Sequence, residues 1–191
     1  MRAPTRPFAL AVACIVAAGL AGCGGSGDDD GKPPATTTAA SSQKAVGLKF
    51  TAQVPDRWGN ISDQVDNGGT RYDIAAADTS ATGYKSTLLV LRSRAPTYGP
   101  RSIADLEAQA YDAAKDDPAV EVTRGPVLRL DGTEARQVLI RRTQQGKRLL
   151  GRQVIALHEG ELYSIQLVTT VDDPRSEELL RDFAASWRWT G

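Results

Sequence analysis

Residues 119–170 read AVEVTRGPVLRLDGTEARQVLIRRTQQGKRLLGRQVIALHEGELYSIQLVTT, and three dipeptides divide the stretch: Asp131-Gly132, Gln145-Gly146 and Glu159-Gly160. Each ends in glycine, which adopts positive φ without steric cost, so each reads as a tight hairpin turn. The pieces between them are Val120–Leu130, Thr133–Gln144, Lys147–His158 and Glu161–Thr170. They carry β-branched and apolar runs: Val138-Leu139-Ile140, Val154-Ile155 with Leu157, and Tyr163, Ile165 and Leu167. Consecutive strands joined by short turns pair with their neighbours, so the stretch reads as a four-stranded antiparallel meander.

The flanks of the meander supply two helices. Upstream, Ser102 with Asp105 three residues later forms a capping-box pattern. Ile103, Leu106, Ala110, Ala113 and Ala114 then share one helical face, and Asp116-Asp117-Pro118 ends the helix because proline cannot continue it. Downstream, Asp173 as cap and Pro174 in the first turn open a second helix. Leu179, Leu180, Phe183, Ala184 and Trp187 make its apolar stripe. Before the first helix, Leu48, Phe50, Ala52 and Val54 alternate with polar residues as a half-buried strand ending at Pro55. A weak strand is expected around Ile61–Val65, a turn at Asn67-Gly68-Gly69, and an alternating strand through Tyr72, Ile74 and Ala76. Thr87–Arg92, with its continuous Leu88-Leu89-Val90-Leu91, reads as a central strand, and Pro96 through Pro100 breaks regular structure. The expected fold class is α+β: an antiparallel sheet with a mid-chain helix and a C-terminal helix packed on it.

This order of elements, with Phe50-Thr51-Ala52-Gln53-Val54-Pro55-Asp56-Arg57-Trp58 near its start and Phe183-x-x-x-Trp187 at its close, resembles the PsbP-like family (the Mog/PsbP fold). The resemblance spans nearly all of residues 46–190. It implies the family's antiparallel α+β architecture. Its members include photosystem accessory subunits, a nuclear-transport factor and bacterial lipoproteins, so the resemblance implies an accessory or binding module rather than an enzyme.

The first residues point to an address. Arg2 and Arg6 precede Phe8–Leu20, an uncharged apolar run of signal-peptide length, shorter than the ~20 residues that span a bilayer. Leu20-Ala21-Gly22-Cys23 follows and resembles a bacterial lipobox in all four positions. That resemblance implies cleavage before Cys23 and a diacylglyceryl thioether on its sulfur. Each buried methylene contributes ~0.8 kcal/mol and two or more chains anchor stably, so no transmembrane helix is required. The organisation expected is a signal peptide over 1–22, a lipidated cysteine and disordered tether over 23–45, and one α+β domain over 46–191. The tether's Gly, Asp, Thr, Pro and Ser residues cannot offset the entropy of ordering. Asp28-Asp29-Asp30 within it reads as a solvated charge run.

Composition narrows the chemistry. Losing residues 1–22 removes Arg2 and Arg6 from 23 basic residues and none of the 23 acidic ones, leaving a net charge of −2. This excess acid gives no reason to expect a nucleic-acid partner. Of the two cysteines, Cys14 lies in the signal segment and Cys23 is the lipid site, so the domain holds neither a disulfide nor a cysteine nucleophile. The single histidine, His158, falls beside a turn and reads as a surface residue. With no G-x-S-x-G, no P-loop and no cluster of His and Cys, no catalytic residue, metal site or cofactor is expected.

One local bias stands out. Arg129, Arg136, Arg141, Arg142, Lys147, Arg148 and Arg152 are opposed between positions 129 and 152 by Asp131 and Glu134 alone. Arg141, Arg142, Lys147 and Arg148 flank one hairpin turn. They are either contacts to an anionic surface or solvated charge that discourages edge pairing.

The reading that follows is a lipid-anchored, non-enzymatic accessory or binding module at the outer face of the cell membrane. Its partners are the membrane, through Cys23, and an envelope protein or ligand. That partner would meet the sheet face away from the terminal helix, or a groove near Trp58. A carrier with an apolar cavity between sheet and helices is the alternative, and a hydrolase built on His158 is the reading with least support.

Overall fold

The computed structural model describes residues 44–46, 49–65, 72–95 and 102–190. The lipobox, the tether up to residue 43, Leu48, the Asn67-Gly68-Gly69 turn and the Pro96–Pro100 break lie outside the described residues.

The elements run β1 (Lys44–Val46), β2 (Phe50–Gln53), β3 (Trp58–Asn60), a 3-10 turn (Ser62–Gln64), β4 (Ile74–Asp78), β5 (Thr87–Arg94) and α1 (Ile103–Lys115). Then come β6 (Val120–Arg124), β7 (Leu128–Leu130), β8 (Thr133–Gln144), β9 (Lys147–His158), β10 (Glu161–Thr170), α2 (Ser176–Ser186) and β11 (Arg188–Trp189). An eight-stranded antiparallel sheet has the order β3-β4-β5-β10-β9-β8-β6, with β7 also paired to β8. A second sheet of three strands, β1-β2-β11, joins the two ends of the domain. The chain is α+β, and strands dominate it.

The three hairpin turns explain why β8, β9 and β10 begin and end where the turn dipeptides place them. Both residues of each pair have positive φ: 45° and 85° at Asp131-Gly132, 50° and 73° at Gln145-Gly146, 48° and 73° at Glu159-Gly160. Positive φ at both central positions matches the right-handed twist of the flanking strands. The fourth expected piece is not continuous. It splits at Gly125-Pro126 into β6 and β7, which pair with β8 over Val138–Arg142 and Thr133–Ala135 respectively. Proline donates no ladder hydrogen bond. Gly125 passes so close to Gln137 that a Cβ there would stand 2.5 Å from its Oε1.

Register assigns the two faces of the large sheet. Ile74, Val90, Ile165 and Val154 lie in one row across β4, β5, β10 and β9. They join Leu88, Leu167 and Tyr163 in the main core, which Leu180, Phe183, Ala184 and Trp187 close from α2 and its C-cap. Val138, Ile155 and Leu162 point the other way and pack under Leu106 and Ala110 of α1. The helices therefore cover opposite faces, and α2 shares its side with β2.

Three local expectations are corrected. Where a strand was expected over Ile61–Val65, Ser62–Gln64 form a 3-10 turn, and the strand of this region is β3, just before it. The turn over Pro55–Trp58, closed by the Trp58 N–H to the Pro55 carbonyl at 3.2 Å, leads directly into β3. β4 is buried at every position, because Ala75 and Ala77 also face protein. In α2, Asp173 accepts from Arg175 N at 3.0 Å, a turn one step ahead of the helix, which begins at Ser176.

α1 follows its capping box in both halves: Asp105 N–H donates to Ser102 Oγ, and the Asp105 carboxylate accepts from Ser102 N. Its buried face differs from the expected one, with Ala113 exposed and Glu107 buried in its place. Glu107 lies between Arg124 and Arg136, each at 3.4 Å, which compensates its burial.

Candidate functional site

The strongest sequence signal, Leu20-Ala21-Gly22-Cys23, lies outside the described residues, so the geometry concerns the domain that follows. Among the described residues no helix is long and apolar enough to cross a membrane, and no group of three or more His, Cys, Asp or Glu is placed to hold a metal.

The four basic residues flanking the Gln145-Gly146 turn do come together at one hairpin tip, but not on one face. Residues opposite one another in an antiparallel pair share a side. Arg141 stands opposite Leu150 and Arg148 opposite Thr143, on the α2 side, where Leu139 also faces Arg152. Arg142 stands opposite Leu149 and Lys147 opposite Gln144, on the α1 side. There Lys147 Nζ lies 5.9 Å from the centre of the Tyr84 ring. Burial pushes the Tyr84 hydroxyl above the ordinary tyrosine range, and the Arg142 charge pulls it back. Tyr84 reaches this tip from the loop between β4 and β5.

Arg152 is the functional candidate that sequence reading passed over, because its surroundings exist only once α2 crosses the sheet. Its side chain is 11% exposed. Nε donates to Ser176 Oγ, in the first turn of α2, at 3.0 Å. Nη2 lies 3.9 Å from the exposed Glu177. Burial lowers the Arg152 pKa, Glu177 opposes that, and repulsion from Arg141 adds to the lowering. Arg141 itself meets Glu121 at 3.4 Å. An internal helper in the sequence was the alternation of β9, which puts Arg148, Leu150 and Arg152 on one side.

His158 is not a plain surface residue. Its ring stacks on Trp189 with centroids 3.9 Å apart, and Nδ1 lies 3.3 Å from Thr133 Oγ1. The Trp189 indole N–H donates to the Leu130 carbonyl and to Thr133 Oγ1, both at 3.0 Å. The hydroxyl facing the histidine is thus already engaged by an indole, and the group reads as a clasp that fastens β11 to the far end of the meander.

Of the two expected docking features, Trp58 is itself 4% exposed and belongs to the main core. The sheet face away from α2 is occupied over β6, β8 and β9 by α1. The space between α2 and the sheet is filled by side chains: Trp187 stacks on Phe50 at 3.9 Å and meets Tyr163, Phe183 and Trp189 edge-on. That packing gives the carrier reading no support.

Burial raises the Tyr163 hydroxyl above the ordinary range, while Arg92 pulls it down and Glu161 and Asp73 push it up. Unfolded tyrosine titrates near 10, so above about pH 10 the unfolded chain has shed protons that the native chain retains. Stability is therefore complete below that pH and falls as pH rises through the raised native values. Urea unfolding between about pH 9 and 11.5 is expected to show this decline. Tyr163→Phe is expected to shallow it, and an unchanged slope would refute the assignment.

No protein-family model matches the chain, and no curated protein is similar to it in sequence. Solved structures are similar in fold. The cyanobacterial PsbP protein CyanoP from Synechocystis sp. PCC 6803 superposes with a TM-score of 0.58 at 15% identity, over 83% of this chain and 98% of that one. LpqN of Mycobacterium tuberculosis, described as involved in cell envelope biogenesis, gives 0.54 at 17% identity over 76% and 86%. The described residues therefore have a PsbP-like fold.

Proposed function

We infer that this protein is a lipid-anchored, non-enzymatic module of the cell envelope, held by Cys23 at the outer face of the membrane and working as an accessory to another envelope component. The observation that carries this reading is Leu20-Ala21-Gly22-Cys23 at the end of the Phe8–Leu20 run, with no further cysteine in the chain after it. An anchor made from acyl chains needs no membrane-spanning helix. The domain is suited to presenting a surface: its core is packed with aromatic side chains, and one hairpin tip carries Arg141, Arg142, Lys147 and Arg148. The shared fold with LpqN, a protein of envelope biogenesis, is in keeping with the same address.

The test is partner capture in intact cells. Cross-linking of the anchored protein is expected to recover at least one envelope component that an anchor-only control, carrying residues 1–43 on an unrelated domain, does not. Identical recoveries from the two would count against the accessory role and leave the anchor itself standing.

A further inference from the structure

The α2 side of the β8–β9 hairpin carries three guanidinium groups in a diagonal row: Arg148, Arg141 and Arg152. Leu150, buried, and Leu139, half-buried, lie between them and form an apolar floor. The ion pairs along this row are Arg141 to Glu121 at 3.4 Å and Arg152 to Glu177 at 3.9 Å. Both carboxylates belong to exposed side chains, 69% and 79% accessible, so solvent screens both pairs. Two screened carboxylates leave three positive charges under-compensated, and Arg152 is held in place because Ser176 accepts from its Nε. The opposite side of the same tip differs. There Lys147 lies over the Tyr84 ring, and Arg142 acts on the same tyrosine.

The chain's entry into the domain lies toward the same end. α2 starts against Arg152 and Thr169, in the half of β9 and β10 nearest the Gln145-Gly146 turn. It finishes near Trp189 and His158, at the opposite end. β11 pairs Trp189 with Phe50 and Arg188 with Thr51, and Gln53 N–H reaches Ser186 Oγ, so β2 runs back toward the tip end. Lys44 pairs with Gln53, so β1, traced toward the N-terminus, heads that way too. Lys44 is tied to Cys23 by 21 residues of chain, a covalent reach of at most about 75 Å, so this end of the domain is the one nearest its anchor along the chain.

We propose that the Arg141–Arg148–Arg152 face of the hairpin seats on the anionic phosphate headgroups of the membrane that holds the lipid anchor. The proposal rests on the anchored reading and adds an orientation to it: the Gln145-Gly146 tip faces the bilayer, and the Asp131 and Glu159 turns face away.

Arginine-directed labelling with phenylglyoxal, read residue by residue by mass spectrometry on the full anchored protein, tests it. Vesicles of phosphatidylcholine alone are compared with vesicles containing about one-third phosphatidylglycerol. Labelling of Arg141 and Arg148 is expected to slow by about 10-fold or more in the anionic vesicles, with Arg188 at the far end unchanged and Arg142 affected less. The protection is expected to vanish near 1 M salt, where the Debye length falls to about 3 Å. Equal labelling in both vesicle types would overturn the proposal, and so would equal protection of Arg142. Equivalent protection by inorganic phosphate with phosphatidylcholine vesicles would assign the face to a soluble anion and likewise overturn the membrane seat. Association with both vesicle types reports the anchor, and the labelling difference reports the face, so each reading fails separately.

Discussion

Trp187→Ala costs the domain about 3–5 kcal/mol of unfolding free energy, the largest effect expected of any single truncation in the core. Trp187 is fully buried. It stacks on Phe50 at 3.9 Å with planes 6° apart, and it meets Phe183, Tyr163 and Trp189 edge-on at 5.9, 6.0 and 5.2 Å. It therefore joins β2, α2, the meander and β11 at one point, and alanine leaves a cavity bordered by all four. Small domains have total stabilities of ~5–15 kcal/mol, so the loss removes a large share. Urea denaturation followed by near-UV circular dichroism measures it. Trp187→Phe is expected to cost markedly less. It keeps an aromatic face for Phe50, and it removes an indole N–H that is buried without a hydrogen-bond partner among the described residues. Equal losses for the two variants would show that ring stacking is not what this site contributes.

Cys23→Ser is expected to abolish lipidation, and either to release the protein from the membrane or to leave residues 1–22 uncut, with the fold untouched in both cases. A serine oxygen at the lipobox cannot form the thioether, so the anchor is absent whatever happens to the signal segment. With two or more acyl chains gone, at ~0.8 kcal/mol per methylene, the loss of binding is effectively complete if the segment is removed. If it is not removed, the chain stays membrane-associated and heavier by the mass of residues 1–22, less the mass of the lipid. Intact mass and fractionation together separate these outcomes. A mature form with unchanged mass and unchanged retention would overturn the anchored reading. Unfolding of the soluble domain is expected to move by less than about 0.5 kcal/mol, as for a substitution outside the packed structure.

The two variants draw on different sources. Cys23 was legible only in sequence, as a short pattern with a chemical consequence. Trp187 was legible as one member of a helical stripe, but its partners were not. Turn chemistry explains the readable part: the dipeptides at 131–132, 145–146 and 159–160 place two adjacent residues in the left-handed region, and this fixes the ends of β8, β9 and β10. The capping box of α1 was equally local. What escaped detection depends on contacts distant in the chain. β11 has two residues and no pattern of its own, and it exists because Thr51 and Phe50 offer it an edge. β1 was read as part of the tether at Lys44 and Ala45, because strand addition to β2 uses backbone groups that composition does not reveal. Glu107 was assigned no role on its helix, since the arginines that pair with it come from β6 and β8. The basic tip was visible as a charge bias, and its division into two faces required the register of β8 against β9.

The three-stranded sheet β1-β2-β11 has a consequence for the time at which this domain becomes a domain. Phe50 pairs with Trp189, and Lys49 accepts a backbone hydrogen bond from Thr190, so its opening and closing segments are mutual partners. Ribosomes add about 5–20 residues per second, so Phe50 waits roughly 7–28 s for the residue it pairs with. Until then the Trp187 stack is unmade, the α2 side of the large sheet lacks its cover, and no shortened chain holds the complete core. Contacts of such long sequence separation also form slowly after synthesis. The core on the α2 side is thus completed by contacts between residues 49–51 and 187–190, after every other strand has been made.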